Sequence, residues 1–338
     1  TTQGYTLQTF MTLGFWNKLE KPFFVLAPMA DVTDCVFRQL IAETGKVPRT
    51  DGSRGGPDVT WTEFVSADGL DSPGKEKLLI DFKYSEIERP IVAQIFSGNP
   101  EKIERAAGLV EELGFDGVDI NMGCPDRAVE KQRAGAALIK DVALAKELIR
   151  AAKRGAPHLP VSVKTRIGYN KEDIDVWIPA LLEEGLAALT IHLRTRKEMS
   201  DVEAHWELLP RVVALRDRYT PETLIIGNGD AKDLADARLK VETAGADGVM
   251  LGRAIFGNPW LWSEKVPGIS EKLRMLVEHT RRFENELGSH KNFAIMKKHF
   301  KAYVSGFDGA KELRTELMEC EDADAVAKRI EQYLASTN

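Results

Sequence analysis

Apolar positions along this chain follow two rhythms that take turns. Short, nearly continuous runs rich in Val, Ile and Leu, set among Gly, Pro and Asp, predict strands over Val25–Ala30, Val59–Ser66, Ile91–Ser97, Gly117–Gly123, Val161–Ile167, Ala188–Thr195, Thr223–Gly229 and Gly248–Ile255. Between the runs the spacing becomes helical. Ile103, Ala106, Ala107, Val110 and Leu113 share one face that stops at Gly114, and Asp141 caps a helix carrying Ala145, Leu148, Ile149 and Ala152. Strands that are apolar throughout, rather than at every second residue, belong to a parallel sheet covered on both faces. Eight of them alternating with helices predict an α/β fold, a (β/α)8 TIM barrel, with a doubly wound open sheet as the rival. The stretch Gly45 to Asp58 is too rich in Gly and Pro for regular structure and reads as an excursion between the first two units.

Past Trp262 the strand rhythm ends. Leu273, Leu276, Val277, Thr280 and Phe283 make one helical stripe, Phe293, Met296, Phe300 and Val304 another, and Leu313 with Leu317 a third. The expected organisation is an N-terminal extension over 1–20, a barrel over 21–265 and a C-terminal all-α helical domain over 266–338.

Composition narrows the class without naming a reaction. With 338 residues and 43% hydrophobic content the chain can bury a full barrel core. No apolar run approaches the roughly 18 residues of a membrane span, and the first residues lack the order of a signal peptide, so the expected compartment is the cytoplasm. Cys35, Cys124 and Cys320 are far apart with no CxxC pair, and the six histidines show no HxH or HExxH spacing, so no metal site is expected. A net charge of −6 means that any nucleic-acid partner must meet a local basic patch.

Candidate chemistry gathers where the predicted strands end. Val118-Asp119-Ile120-Asn121-Met122-Gly123-Cys124-Pro125 runs from an apolar strand into a cysteine fixed between Gly and Pro, with Gly123 permitting close approach of the backbone to a ligand. Cys35 and Cys320 lie in helical patterns and read as structural. The seventh strand ends in Gly227-Asn228-Gly229-Asp230 and the eighth in Gly252-Arg253, a pair of loops suited to a phosphate. There is no GxGxxG, because Lys232 takes the place of the third glycine, so no tightly held dinucleotide is indicated. The other strand tips supply Pro28, Met29, Glu63, Gln94, Lys164, Arg166, His192, Arg194 and Arg196. Together they suit a planar, phosphorylated, hydrogen-bonding cofactor such as flavin mononucleotide (FMN). Gln94 is placed to bond the pyrimidine edge of its ring, Lys164 to offset negative charge on the reduced ring, and Pro28–Ala30 to lie against it.

These motifs, in this order, resemble the tRNA-dihydrouridine synthases: Ala27-Pro28-Met29-Ala30-Asp31, Thr62-Glu63-Phe64, Ala93-Gln94-Ile95, Asn121-Met122-Gly123-Cys124-Pro125, Lys164-Thr165-Arg166, Asn228-Gly229-Asp230 and Gly252-Arg253-Ala254, then Met296-Lys297-Lys298-His299 and Leu313-Arg314. The resemblance implies an enzyme that reduces uridine in transfer RNA to dihydrouridine. It implies FMN held by Pro28, Met29, Ala30, Gln94, Lys164, His192, Asn228, Gly229, Asp230, Gly252 and Arg253, NADPH as transient reductant, and Cys124 as the catalytic acid. Asn121, Arg166, Arg194, Arg196, Lys297, Lys298 and Arg314 would serve the base or the RNA phosphates. One departure from the family pattern is Leu193, which follows His192 where a glycine is usual. The alternatives are an FMN-dependent barrel enzyme acting on a small unsaturated substrate, which has no need of the helical tail, and a flavin-bearing RNA-binding protein without catalysis.

Overall fold

The computed structural model describes residues 13–46, 55–263 and 265–337. Eight strands form one sheet of parallel neighbours: β1 (Phe23–Leu26), β2 (Thr60–Ser66), β3 (Ile91–Phe96), β4 (Gly117–Met122), β5 (Val161–Arg166), β6 (Ala188–His192), β7 (Leu224–Asn228) and β8 (Gly248–Leu251). The order β1-β8-β7-β6-β5-β4-β3-β2 leaves β1 and β2 at the two ends of the ladder. Two backbone hydrogen bonds join those ends, from Leu26 N–H to Val59 O (3.1 Å) and from Asp58 N–H to Phe24 O (3.0 Å). The open sheet is thereby excluded in favour of the barrel.

All eight predicted strands are present, seven of them with trimmed ends and the first displaced two residues towards the N-terminus at its start. β1 starts at Phe23 and stops before Pro28, which has no N–H for the ladder, and Thr33 then turns the chain by accepting from Met29 N–H. β6 stops at His192; Leu193 beyond it is fully buried in the core between sheet and helices, so the departure from glycine fills the packing instead of breaking it. The helices behave as the apolar spacing predicts except at Leu113, which follows the end of its helix and is exposed instead of joining the buried face. Pro100–Glu112 buries Ile103, Ala106, Ala107 and Val110 and is followed by Gly114 in the left-handed region (φ 77°), while Asp141 accepts from Leu144 N–H at the start of Val142–Gly155.

Strand alternation sorts the lumen into layers. Phe23, Val25, Trp61, Val92, Leu224 and Ile226 fill the lower part, and Trp16, in the short helix Gly14–Lys18, closes the bottom against Phe23 and Trp61. The upper part is polar. The excursion predicted over Gly45–Asp58 lies largely outside the described residues.

After the barrel come the helices Ile269–Leu287, Lys297–Tyr303, Ala310–Met318 and Ala323–Thr337. Their stripes, Leu273, Leu276, Phe283, Met296, Phe300, Leu313 and Leu317 among them, bury one apolar cluster that also takes in Cys35, Val36 and Leu40 of the first barrel helix, Cys35–Gly45. Each fully buried Leu or Phe contributes about 1.5–3 kcal/mol, so the helices are seated on the barrel and not merely tethered to it. No helix among the described residues is long and apolar enough to cross a membrane.

Candidate active site

Residues two apart on a strand share a face, and the sheet register then sets those faces side by side. Gln94 stands opposite Asp119, Asn121 opposite Lys164, Arg166 opposite His192, and His192 opposite Asn228. The polar residues predicted at separate strand tips therefore form one ring at the C-terminal mouth, the usual location of barrel active sites.

On one side of the ring lies the cysteine. Asn121 Oδ1 accepts from the N–H of Gly123 (3.1 Å) and of Cys124 (2.9 Å), and its Nδ2 donates to Gln94 Oε1 (3.0 Å). Gln94 Nε2 donates to Asp119 Oδ2 (2.7 Å), and Asp119 Oδ1 accepts from Ser162 Oγ (2.6 Å). Arg166 donates to Gly123 O (2.8 Å), Thr195 O (3.1 Å) and Met199 O (3.0 Å). Cys124 itself is partly exposed beside Phe64, Phe96 and Val129. Burial raises its thiol above the ordinary range, although Arg166 and Lys164 pull the other way. Cys35 and Cys320 are buried, and burial pushes the Cys35 thiol up to about 12. Gly123 faces a neighbouring strand and not a ligand: a Cβ there would sit 3.2 Å from the Thr165 backbone.

On the other side is a cavity of about 260 Å³ lined by Pro28, Met29, Lys164, His192, Asn228, Gly229, Asp230, Gly252 and Arg253. It opens into a wider trough of about 840 Å³ with which it shares Arg194, Ser200, Asp230, Ala231 and Arg253. Asp230 organises this edge. Its carboxylate accepts from Arg194, Arg253 and Ala204 N–H, and these contacts hold it below the ordinary carboxylate range against the opposing effect of burial. Gly229 is required where it stands: its φ is 130°, and a Cβ would meet that of Ala204 at 2.7 Å. The backbone N–H groups of Gly229, Asp230, Gly252 and Arg253 have no acceptor among the described residues. Lys164 likewise has no hydrogen-bond partner there; burial pushes its ammonium down to about 8, with repulsion from Arg166 opposed by attraction to Asp119. Burial also drives His192 well below its ordinary value, helped by Lys164, Arg166, Arg194 and Arg253, so it is a neutral imidazole whose Nε2 meets Arg194 Nη1 at 3.1 Å.

Several predicted residues are placed elsewhere. Ala30 is exposed outside the cavity, and Gln94 is wholly buried with both ends of its amide engaged by Asp119 and Asn121. Arg166 and Arg194, predicted at the RNA-facing rim, are interior residues only 6% and 2% exposed, because carbonyls and carboxylates inside the loops take up their donors. Arg196 is paired with Glu130 and lies against the Tyr169 ring. Lys297 donates to Met318 O, Arg314 to Val304 O, and Lys298 to Asp31 (2.9 Å). Asp119 and Ser162 have no role assigned to them from the sequence. Asp119 carried a usable signal, a polar residue two positions from Asn121 in an otherwise apolar strand. Lys291 reaches from beyond the first C-terminal helix to buried Glu63 (2.5 Å) and to Asp81 (2.7 Å), and Glu63 in turn accepts from Asp31 N–H (2.6 Å).

Comparison with known proteins bears directly on this mouth. The dihydrouridine synthase family model matches residues 25–338. A Bacillus subtilis protein named probable tRNA-dihydrouridine synthase 2 is 41% identical over 332 residues, covering 96% of this chain and 97% of its own. A probable tRNA-dihydrouridine synthase of Staphylococcus aureus is 40% identical over 331 residues, with the same coverage of 96% and 97%. Among solved structures, 6-hydroxypseudooxynicotine amine oxidase from Pseudomonas geniculata aligns with a TM-score of 0.50 at 14% identity, over 71% of this chain and 46% of that one, a likeness of fold alone. With the match spanning the Cys124 turn, the glycine loops after β7 and β8 and the helices beyond, the chain belongs to the dihydrouridine synthase family.

Proposed function

We propose that this protein reduces the carbon-5/carbon-6 double bond of uridines in transfer RNA to dihydrouridine, using FMN at the barrel mouth and NADPH as the source of electrons. One observation carries the reading: a thiol on a fully hydrogen-bonded turn shares the mouth with a cationic recess whose N–H donors are open. The open N–H groups of Gly229, Asp230, Gly252 and Arg253, with the Arg253 guanidinium, suit a phosphate. Pro28, Met29, Lys164, His192 and Asn228 would hold the ring. When bound there, reduced flavin supplies a hydride to carbon-6 of the base.

The chain's own residues then do the rest. As the carbon-6 bond forms, electron density moves on to carbon-5 and the neighbouring carbonyl, and the Cys124 thiol gives its proton to carbon-5; the thiolate later recovers a proton from water. A thiol raised by burial is present in the donating form at neutral pH. Lys164, at about 8, remains mostly charged at pH 7 and offsets negative charge beside it. A stacked base cannot enter this mouth, so a loop uridine must be drawn out at a cost of a few kcal/mol. Lys298 and Arg196 reach RNA phosphates by exchanging Asp31 and Glu130 for them, and binding weakens as salt rises. Chemistry on transfer RNA with NADPH belongs in the cytoplasm.

The deciding variant is Cys124→Ala. It is expected to keep the flavin absorbance and its bleaching by NADPH while dihydrouridine formation falls about 10²–10⁴-fold. Turnover close to that of the unaltered protein would remove Cys124 from the role.

A further inference from the structure

We propose that Asp119 is a positioning residue for Cys124: its buried acceptor oxygen holds the Gln94 amide, and through Gln94 and Asn121 it braces the turn that carries the thiol. This rests on the reading of Cys124 as proton donor.

The argument is one of donors and acceptors. Asp119 is wholly buried on β4; burial pushes its carboxyl up to about 6 against the opposing hydrogen bonds of Ser162 and Gln94, so at neutral pH it is mostly a carboxylate, which only accepts. Facing it at 2.7 Å, the Gln94 side chain must present Nε2, which turns Oε1 towards Asn121. Asn121 must then present Nδ2 to Gln94, which leaves Oδ1 for the two N–H groups of the turn, Gly123 and Cys124. Every donor in the chain points towards Asp119, so the series is anchored at both ends, by the two N–H groups of the turn at one and by this oxygen at the other. Without an acceptor at 119, Gln94 Nε2 is left without a partner in the interior, and any turn of the Gln94 amide that relieves it sets Nε2 against Asn121 Nδ2 and loosens the anchor of the turn. The chain sits beneath the mouth and none of its amides need touch the substrate. Ser162 is a terminal donor and, having a hydroxyl, is free to reverse its role.

The test compares Asp119→Leu, which keeps the volume and removes the acceptor, with Asp119→Asn, which can turn its oxygen to Gln94 and its amide to Ser162. Two readouts are used: single-turnover dihydrouridine formation on transfer RNA, and the rate at which iodoacetamide alkylates Cys124 in flavin-free protein, mapped by mass spectrometry with buried Cys35 as internal reference. Asp119→Leu is expected to lower the single-turnover rate at least tenfold without changing the half-saturating RNA concentration, and to change Cys124 alkylation at least threefold. Asp119→Asn is expected to recover both to within about threefold. Should Asp119→Leu not fold, Gln94→Met, which cuts the chain one link higher, should give the same pair of effects. The proposal is overturned if the acceptor-less variants match the unaltered protein in both readouts, or if Asp119→Asn is as impaired as Asp119→Leu, which would make the charge, as counter-ion to Lys164, the relevant property. Failure of the underlying reading looks different: Cys124→Ala would then still form dihydrouridine, whatever happens at position 119.

Discussion

The two sides of the barrel mouth are built on opposite plans. Around Cys124 the polar groups are spent within the protein: two side-chain amides, a buried carboxylate and the Arg166 guanidinium together hold one turn. Across the mouth, the loops after β7 and β8 keep four backbone N–H groups open and Lys164 has no hydrogen-bond partner among the described residues. A group that must stay in place has its partners built in. On the proposed function, donors left unanswered across the mouth suit an anion that has yet to arrive.

The contrast can be broken most severely from the closed side. Arg166→Met strands three carbonyls, Gly123 O, Thr195 O and Met199 O, and should cost about 3–5 kcal/mol in chemical unfolding; a loss below about 1 kcal/mol would show that the turn is not held from beneath. The open side should answer in the other direction. Flavin-free protein titrated with FMN at a hundredfold excess over its Kd should gain about 2.7 kcal/mol, and Arg253→Ala should move the titration to higher concentration. A melting curve indifferent to FMN would argue that the open donors are not waiting for it.

Lys164 sharpens the comparison because its stability and its function should diverge. Its pKa falls from an ordinary 10.5 to about 8 on folding, so between those values the unfolded chain binds more protons and stability rises with pH. The penalty is complete below about 8 and gone above 10.5. Lys164→Met should therefore be about 1–3 kcal/mol more stable at pH 7, should lack the rise between pH 8 and 10.5, and should bind FMN more weakly. Loss of stability in this variant would mean the ammonium has a partner after all. The smallest effect belongs to Lys298→Ala, which removes an ion pair with both members 48% exposed: less than about 1 kcal/mol in unfolding, but a shallower dependence of RNA binding on salt.

The framework of the molecule was legible in its sequence because buried parallel strands and half-buried helices have different periods, and nothing in the core contradicts them. The place of Cys124 at a strand end in the mouth was legible too, since Gly and Pro on either side of it restrict the backbone to few courses. What escaped were pairings that local pattern does not encode. Arg166 and Arg194 look like surface residues from composition, yet Arg166 is consumed by carbonyls in the loops after β4 and β6, and Arg194 by Val202 in its own loop and by Asp230 after β7. Lys291 and Glu63 stand 228 residues apart, and no periodicity connects them. Gly123, at a strand end beside a cysteine, suggests room for a ligand, whereas the room is taken by the neighbouring strand at Thr165.

That remote lysine changes how the tail of the protein should be treated. Cutting the chain before residue 266 would expose the apolar floor on which the helices sit and would also leave Glu63 and Asp81 facing each other without their shared cation, directly under the loop that carries Pro28 and Met29. An isolated barrel would thus be a damaged barrel, and its silence towards RNA would say nothing about which half does the gripping. Point changes on the outer faces of the helices, with residue 291 untouched, are the cleaner instrument.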